Sequence, residues 1–505
     1  MILIIDFGSQ TAHLIGRRLR TIGVPVEYCD PEDALSTINT IKPTGLILSG
    51  GPNDISHDAS LSVDKKIFHL GLPILGICYG WQLMAHLLGG AVKHSKKEYG
   101  PEEITFDKRI SIFHLPQKKF SVIMSHGDTV TKLPKGFMAV GSTKQVRYAA
   151  VVNEQKNLFG VQFHPEADHT QHGSTLLKNF AMNACGETLS PFVLDPKGII
   201  QSVKVTVGTN KVICAVSGGV DSTVTAYLIG KAIGKNLIPV YVESGLMRPD
   251  TDKRVRHIFT KLIHADLVIV DAKKRFMDAL KGITDPEVKR KTIGKLYIDI
   301  FQEQAIKHHD AAFLGQGTIY SDVIESKGSK HASHIKSHHN VGGLPKDMKL
   351  TLLEPIRNYY KDEVREIGRL VKLPSDVVRE QVFPGPGYAV RIRGEVTVQR
   401  LEQIRIADRI VVEEMKRAGL YDKTYMCFAI MTGTHSTAVK GDARVFAEVV
   451  AIRSINSQDV MTSEWTRIPH DVLHVMASRI VNEVPDVSRV VYDITTKPPA
   501  TMEWE

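Results

Sequence analysis

Short apolar runs alternate with longer stretches of helical periodicity along the chain. In its first part the runs cover residues 2–5, 45–48, 73–77 and 158–163. An uninterrupted apolar run of this length is typical of a strand buried on both faces, and strands separated by helices form parallel sheets. We therefore predict a parallel sheet covered by helices, with ligands bound at the carboxyl ends of its strands.

The same pattern returns after residue 190 and then changes again. Further strands are predicted at 211–216, 237–242 and 311–314, and residues 388–505 are of mixed type. In this last part we predict helices at 399–416 and 471–481 and strands at 445–452 and 487–494. The predicted fold class is α/β, with two successive doubly wound parallel-sheet domains followed by a smaller α+β domain. The predicted domains are 1–188, 189–381 and 382–505.

Composition narrows the class of protein. The 505 residues are 43% hydrophobic and 24% charged, with five cysteines and a net charge of +9. This composition fits globular domains. The chain has no CxxC pair for zinc, no apolar run near the roughly 18 residues of a membrane span, and no signal-peptide pattern at its first residues. We expect a cytoplasmic protein with no membrane and no nucleic-acid partner, since so thin a basic excess suits a small anionic substrate instead.

A cysteine lies between two glycines where an apolar strand meets a helix. The segment 76–80 reads Gly-Ile-Cys-Tyr-Gly, a cysteine form of the nucleophile elbow. A thiol at a helix N-terminus is favoured as thiolate. The alternative is a small buried cysteine among packing glycines.

Residues at two further strand ends indicate a catalytic site. His164 and Glu166 follow an apolar run and are two residues apart, so in extended backbone they point the same way. Cys78, His164 and Glu166 are then nucleophile, base and the group that orients the base. Ser-Gly-Gly-Pro at 49–52 suits either an oxyanion hole or a simple turn.

The first 185 residues or so resemble a class I glutamine amidotransferase domain. The matching motifs are DFGSQ at 6–10, SGGP at 49–52, GICYG at 76–80, SHGD at 125–128 and FHPE at 163–166. The resemblance implies Cys78 as nucleophile, His164 as base and Glu166 as its partner. It also implies an oxyanion hole and glutamine contacts at Gly51, Tyr79, Gln82, Ser125 and His126.

A glycine-rich turn follows the predicted strand 211–216. Residues 217–223 read Ser-Gly-Gly-Val-Asp-Ser-Thr and lead into a helix. Backbone N–H groups of such a turn cradle an anion. The Walker pattern is absent, and the loop instead resembles that of the ATP pyrophosphatase family. The resemblance implies that ATP binds to Ser217, Gly218, Gly219, Val220, Asp221, Ser222 and Thr223. Asp221 is a candidate ligand for the Mg²⁺ that accompanies ATP, or a residue that fixes the loop.

The segment 327–349 is basic and rich in histidine. It fits either a solvated loop or a mobile lid that closes on ATP phosphates. The histidines are also candidate zinc ligands, but their spacing fits no standard zinc site.

The whole chain resembles the glutamine-hydrolysing GMP synthetase family. The motifs that distinguish this family are LGQGTIYSDVIES at 314–326, IKSHHNVGGLP at 335–345, VFPGPG at 382–387 and KPPATMEWE at 497–505. The resemblance implies that xanthosine monophosphate (XMP) binds to Arg248, Asp322, Lys497 and Glu503. It implies a homodimer through the C-terminal domain and no organic prosthetic group.

Three positions depart from the family pattern. Glu243 stands where Asp is usual, Trp81 where Met is common, and Tyr388 where Leu follows the Pro-Gly turn. None of them touches the triad or the phosphate loop. Because its side chain is one methylene longer, we leave Glu243 out of the predicted sites.

The resemblance implies a reaction at two sites. Cys78 attacks the side-chain amide of glutamine and releases ammonia, while XMP is adenylylated by ATP and then aminated to GMP. Alternatives from the same residues are a synthetase that makes NAD or asparagine, a tRNA-modifying enzyme, and a catalytically silent glutamine sensor. A tRNA modifier is expected to carry reactive cysteines near the ATP site or an RNA-binding module, and neither is evident.

Overall fold

The computed structural model describes residues 1–9, 11–52, 54–55, 61–108, 110–190, 193–308, 310–320, 322, 350–440, 442–457, 463–497 and 499–505, without the side chains of 95–97. Two compact units are present, Met1–Val193 and a second whose described part begins at Leu194. The segment predicted as a lid, 327–349, and the motif 335–345 lie outside the described residues.

The first unit is built on one nine-stranded sheet. Its strands are β1 (Ile2–Ile5), β2 (Val26–Cys29), β3 (Gly45–Leu48), β4 (Ile74–Ile77), β5 (Ala91–Phe106), β6 (Lys119–Lys132), β7 (Met138–Ser142), β8 (Ala150–Asn153) and β9 (Leu158–Val161). Its helices are α1 (Ala12–Thr21), α2 (Ala34–Ile41), α3 (Tyr79–Leu87) and α4 (Gly173–Asn179). The strand order is β2-β1-β3-β4-β9-β8-β7-β5-β6.

This sheet has a parallel half and an antiparallel half. Strands β2, β1, β3, β4 and β9 are parallel, as predicted, and β1, β3, β4 and β9 are buried at every residue. Strands β8, β7, β5 and β6 are antiparallel and the sequence prediction missed this half. In β6 buried and less buried residues alternate, the mark of a strand with one covered face, so it has no continuous apolar run.

The second unit holds two sheets. Its strands are β10 (Lys211–Val216), β11 (Leu237–Glu243), β12 (Val268–Asp271), β13 (Ala311–Gly315), β14 (Thr351–Leu353), β15 (Met426–Lys440), β16 (Ala443–Asn456), β17 (Glu464–Trp465) and β18 (Val487–Asp493). Its helices are α5 (Pro196–Val207), α6 (Val220–Ile233), α7 (Thr251–His257), α8 (Lys273–Leu280), α9 (Pro286–Lys307), α10 (Lys361–Leu370), α11 (Ser375–Val378), α12 (Val398–Arg417) and α13 (His470–Glu483).

The first of these sheets is wholly parallel, in the order β12-β11-β10-β13-β14. Because all its strands run the same way, the carboxyl ends of β10, β11 and β13 meet at one edge. The loops that carry the predicted nucleotide residues leave the sheet at this edge.

The second sheet belongs to the α+β part. Strands β15 and β16 form a long antiparallel hairpin, and β18 pairs with β16 in parallel. Helices α12 and α13 and strands β16 and β18 lie where the pattern predicted elements, whereas β15 was not predicted. The parallel α/β sheets and the α+β part confirm the predicted fold class. Within the described residues, no helix combines the length and the hydropathy that crossing a membrane needs.

Close packing of a tryptophan on glycine fixes α3 against the sheet. Trp81 is fully buried, and a Cβ added at Gly160 in β9 would lie 2.4 Å from its Cε3 atom. A Cβ at Gly76 in β4 would lie 2.8 Å from the Trp81 Cα. Gly160 thus leaves room for the indole ring and Gly76 for the backbone of α3, and Trp81 is a core residue of this unit.

We expect Gly160→Ala to destabilise the first unit by about 1–3 kcal/mol, because the new methyl group overpacks the core against the indole. The measurement is hydrogen exchange of peptides from β4 and β9. Gly160→Ala in a Trp81→Met background should destabilise the unit less, since the flexible methionine side chain can move aside. Equal costs in both backgrounds would contradict this packing account.

Candidate active sites

The predicted nucleophile lies on a sharp turn between β4 and α3. Cys78 has φ 49° and ψ −107°, backbone angles that are strained for a residue with a Cβ. Its N–H donates to the Val161 carbonyl over 2.8 Å. A Cβ at Gly80 would lie 2.3 Å from the Leu48 carbonyl oxygen, so only glycine fits there. The turn therefore holds the thiol at the N-terminus of α3, as the elbow motif predicted.

The predicted base and its partner form a buried pair beside this thiol. Nδ1 of His164 donates to Oε1 of Glu166 over 2.7 Å, and Glu166 is fully buried. Burial disfavours the charged imidazole, but Glu166 and Cys78 outweigh it and hold the pKa of His164 well above its usual value. Cys78 is therefore close enough to His164 to favour the charged imidazole. The three side chains thus form a nucleophile–base–carboxylate chain.

The predicted glutamine contacts lie around the thiol. The Cys78 Sγ is 3.5 Å from the Ser125 carbonyl oxygen. Gln82 Nε2 and His126 Nδ1 both donate to the Asp128 carbonyl, over 2.7 and 3.0 Å. One strand segment, 125–128, therefore meets both the nucleophile and the helix behind it.

The predicted oxyanion residues are also neighbours. A Cβ at Gly51 would lie 3.3 Å from Cγ of Tyr79 and 3.0 Å from the Phe7 carbonyl oxygen. The 49–52 turn is thus packed against the start of α3, one residue from the thiol. This closeness is what an oxyanion hole made of two separate segments requires.

Two residues near the thiol were missed by the sequence analysis. Gln162 is fully buried, and its Nε2 lies 3.7 Å from Cys78 Sγ. Glu98 Oε2 lies 3.0 Å from His126 Nε2. Burial lowers the pKa of His126 to about 4 and raises the pKa of Glu98. Glu98 belongs to the antiparallel half of the sheet, which the apolar runs did not predict.

The glycine-rich turn after β10 is held by its own hydroxyl groups. The Ser217 N–H donates to Ser222 Oγ over 3.1 Å, and the Gly219 N–H to Ser217 Oγ over 3.3 Å. Thr223 Oγ1 donates to the Gly219 carbonyl over 2.9 Å. Gly218 has φ +83°, a conformation that favours glycine. The turn is thus preformed at the N-terminus of α6.

A cavity of about 800 Å³ opens beside this turn. Most of the predicted ATP residues line it, namely Ser217, Gly219, Val220, Asp221 and Ser222. Gly218 and Thr223 are not among its lining residues, and Thr223 is fully buried. Those two residues belong to the turn but do not line the cavity.

Asp221 has one carboxylate oxygen engaged and one left over. Lys361 Nζ donates to its Oδ2 over 2.5 Å, while its Oδ1 is buried with no hydrogen-bond partner among the described residues. An orphaned carboxylate oxygen in a cavity beside a glycine-rich turn fits a divalent cation such as Mg²⁺. Lys361 was not predicted, because nothing in its local sequence marks it.

The four residues predicted to bind XMP line the same cavity. These are Arg248, Asp322, Lys497 and Glu503. Arg391, which was missed, binds Glu503 in a bidentate pair at 3.1 and 2.9 Å. The turn 217–222 and residues far apart in the sequence thus share one space in the second unit.

A network of charges was also missed. The fully buried Arg391 and the partly buried Arg248 both contact Asp408, which is 1% exposed. Each guanidinium lies 4.7 Å from the centroid of the Phe383 ring. No local pattern marks Asp408, which belongs to the otherwise ordinary amphipathic helix α12.

The C-terminal tail is tied down by buried cations. Lys289 Nζ is buried and donates to Glu505 Oε2 over 2.5 Å. Arg453 donates to the carbonyls of Thr501 and Met502 over 2.7 and 3.1 Å. These contacts hold the last residues of the chain against the second unit.

Glu243 and Tyr388, the other two residues that depart from the family pattern, make different contacts. Glu243 accepts the Gly245 N–H over 3.0 Å and stabilises its own turn. Tyr388 donates to Asp408 Oδ2 over 3.0 Å and therefore joins the charged network.

Fold and geometry define a glutamine amidotransferase joined to an ATP-binding synthetase, and the comparisons agree. Residues 3–184 match the family model described as glutamine amidotransferase class-I, 196–287 that of NAD synthase, and 413–504 that of the GMP synthase C terminal domain. "GMP synthase [glutamine-hydrolyzing]" of Brachyspira hyodysenteriae is 48% identical over all of this chain and 99% of its own. The protein of the same name from a Nitratiruptor species is 47% identical with the same coverage. The chain belongs to the glutamine-hydrolysing GMP synthases.

The raised pKa of His164 gives a testable consequence. We expect Glu166→Gln to lower that pKa, to weaken the imidazolium that stabilises the Cys78 thiolate, and to slow alkylation of Cys78 at pH 7 by about tenfold, the effect of one pKa unit. The measurement is the rate of iodoacetamide alkylation against pH, whose midpoint should rise. Glu154→Gln, at an exposed carboxylate, is the control. An unchanged midpoint in Glu166→Gln would contradict the pairing.

Proposed function

We propose that this chain makes GMP from XMP, ATP and glutamine in the cytoplasm, using three domains, 1–188, 189–381 and 382–505. The observation that carries the proposal is the single cavity lined by both the glycine-rich turn and the four residues expected to bind XMP. ATP and an acceptor nucleotide bound there are adjacent. That is the requirement for transfer of an adenylyl group.

In the first unit Cys78 attacks the side-chain amide carbon of glutamine. His164 takes the thiol proton and passes it to the departing ammonia, while Glu166 keeps the imidazole oriented. Backbone N–H groups of Gly51 and Tyr79 stabilise the oxyanion. Gln82, Ser125 and His126 hold the glutamine. Water then releases glutamate.

In the second unit the 2-oxygen of XMP attacks the α-phosphorus of ATP. Pyrophosphate leaves and remains cradled by the turn 217–223. Ammonia then displaces AMP at C2, which yields GMP. Adenylylation is needed because the unactivated oxygen is a poor leaving group. Arg248, Asp322, Lys497 and Glu503 orient the XMP.

Asp221 would hold Mg²⁺ through its second carboxylate oxygen. The ion, when bound, neutralises phosphate charge. Lys361 keeps the other carboxylate oxygen engaged, so that Asp221 is fixed in place.

We also propose that the chain is a homodimer through residues 382–505. Phe446 and Val439 are 73% and 72% exposed. Phe446 lies opposite Thr437 in the β15–β16 hairpin, so Val439, two residues along, is on the same face. Exposed apolar side chains grouped on one sheet face favour burial against a second copy.

The reaction is tested by AMP release from Mg-ATP. We expect AMP and GMP only with XMP as acceptor, and none with nicotinic acid adenine dinucleotide or aspartate. Cys78→Ala should abolish synthesis from glutamine, because the nucleophile is gone, and retain synthesis from ammonia.

The possible results test the synthetase reaction and the supply of ammonia separately. AMP release with another acceptor would overturn the product but keep the adenylylating chemistry. Loss of ammonia-dependent synthesis in a folded Cys78→Ala protein would contradict the division of labour. No AMP with any acceptor would favour a silent sensor.

The dimer is tested by sedimentation. We expect Phe446→Asp to shift the wild-type dimer toward monomer, because a charge would be buried at the interface. Val205→Asp, at a position equally exposed on α5, is the matched control. A monomeric wild-type protein, or an unchanged dimer in Phe446→Asp, would contradict the proposed interface.

A further inference from the structure

The phenol of Tyr388 lies behind the wall of the nucleotide cavity. Its side chain is 1% exposed and its ring packs edge-on against Phe383, with centroids 5.1 Å apart. Phe383 lines the cavity and Tyr388 does not. Tyr388 therefore touches no bound ligand directly.

The Tyr388 hydroxyl and Arg248 share one carboxylate oxygen. Asp408 Oδ2 accepts from the phenol over 3.0 Å and from Arg248 Nε over 3.1 Å. The second oxygen, Oδ1, has longer contacts, 3.4 Å to the Ala429 N–H and 3.5 Å to Arg391 Nη1. The phenol is thus one of the two short bonds that set the rotation of the carboxylate.

Tyr388 is a donor at neutral pH. Burial and the nearby Asp408 hold its pKa well above the usual value. An Asp408 carboxylate that accepts a neutral O–H keeps its charge for Arg248 and Arg391, whose guanidinium groups both lie against Phe383. Leucine, the residue usual at this position, cannot make this bond.

The contact with Asp408 decides which nitrogen atoms of Arg248 this carboxylate occupies. Asp408 Oδ2 binds Nε of Arg248 over 3.1 Å, and this contact leaves both terminal Nη groups unoccupied by the carboxylate. A carboxylate free to rotate can instead form a bidentate pair with a guanidinium, and such a pair would compete with an anionic ligand for the Nη groups.

We propose that Tyr388 is a positioning residue for XMP: by fixing Asp408 on Nε of Arg248, it keeps the Nη groups of Arg248 available to the nucleotide. This inference rests on the proposed function and extends it to a residue that departs from the pattern of the family. The effect concerns XMP and leaves ATP binding and the chemical steps unchanged.

The test begins with Tyr388→Phe, which removes only the hydroxyl group. We expect the KM for XMP and its dissociation constant by calorimetry to rise about tenfold, the lower end of the loss that one hydrogen bond to a charged group produces. The kcat with ammonia and the KM for ATP should stay within about twofold. Tyr492→Phe, which removes another hydroxyl bonded within the second unit, is the matched control and should leave all four values unchanged.

A double-mutant cycle tests the route through Asp408. In an Asp408→Asn background, Tyr388→Phe should add little to the KM for XMP, because the carboxylate it orients is gone. Fully additive effects of the two substitutions on the KM for XMP would show that Tyr388 does not act through Asp408. Equal changes in kcat, the KM for ATP and thermal stability would show a merely structural role and overturn the proposal.

Wild-type binding separates this proposal from the proposed function. A wild-type protein that fails to bind XMP refutes the function itself. A wild-type protein that binds XMP with the same dissociation constant as Tyr388→Phe refutes only the role of Tyr388.

Discussion

A charge withdrawn from water must meet an opposite charge or a row of carbonyl groups, and the second unit depends on this constraint. Arg391 and Arg453 are fully buried, and Lys289 is too. Their partners come from distant parts of the chain, among them Glu503, Asp493 and Glu505. Satisfying three buried cations therefore determines where the last residues of the chain lie, and those residues form one wall of the nucleotide cavity.

The first unit solves a different problem, that of presenting a reactive group on a rigid surface. Its nucleophile, Cys78, has a strained positive φ, and Gly76 and Gly80 on either side leave out Cβ atoms that would collide with the neighbouring backbone. A buried carboxylate then sets the charge of the base, His164. Here the reactive geometry comes from local sequence, with partners supplied by neighbouring strand ends.

This contrast explains how much the sequence could reveal. The elbow, the glycine-rich turn and most of the parallel strands are local patterns, and their positions were predicted to within a residue or two. The parallel strands β2, β12 and β14 were not predicted. Asp408 and Lys361 act through contacts across more than a hundred residues, for example Lys361 with Asp221, and no local pattern marks them. Strand β6, in the antiparallel half of the first sheet, was missed because a strand with one covered face lacks a continuous apolar run. The resemblance named Glu503 but could not show its partner, Arg391.

The anchored tail also bears on the order in which the chain matures during its synthesis. Residues 1–193 make up nearly all of the first compact unit and leave the ribosome before the second, so they can fold while translation continues. The nucleotide cavity includes Lys497, Thr501 and Glu505, which are translated after all its other walls. The buried Lys289 gains its carboxylate partner, Glu505, only when these last residues have been translated. A nascent chain can thus carry a folded triad well before it carries a complete nucleotide cavity.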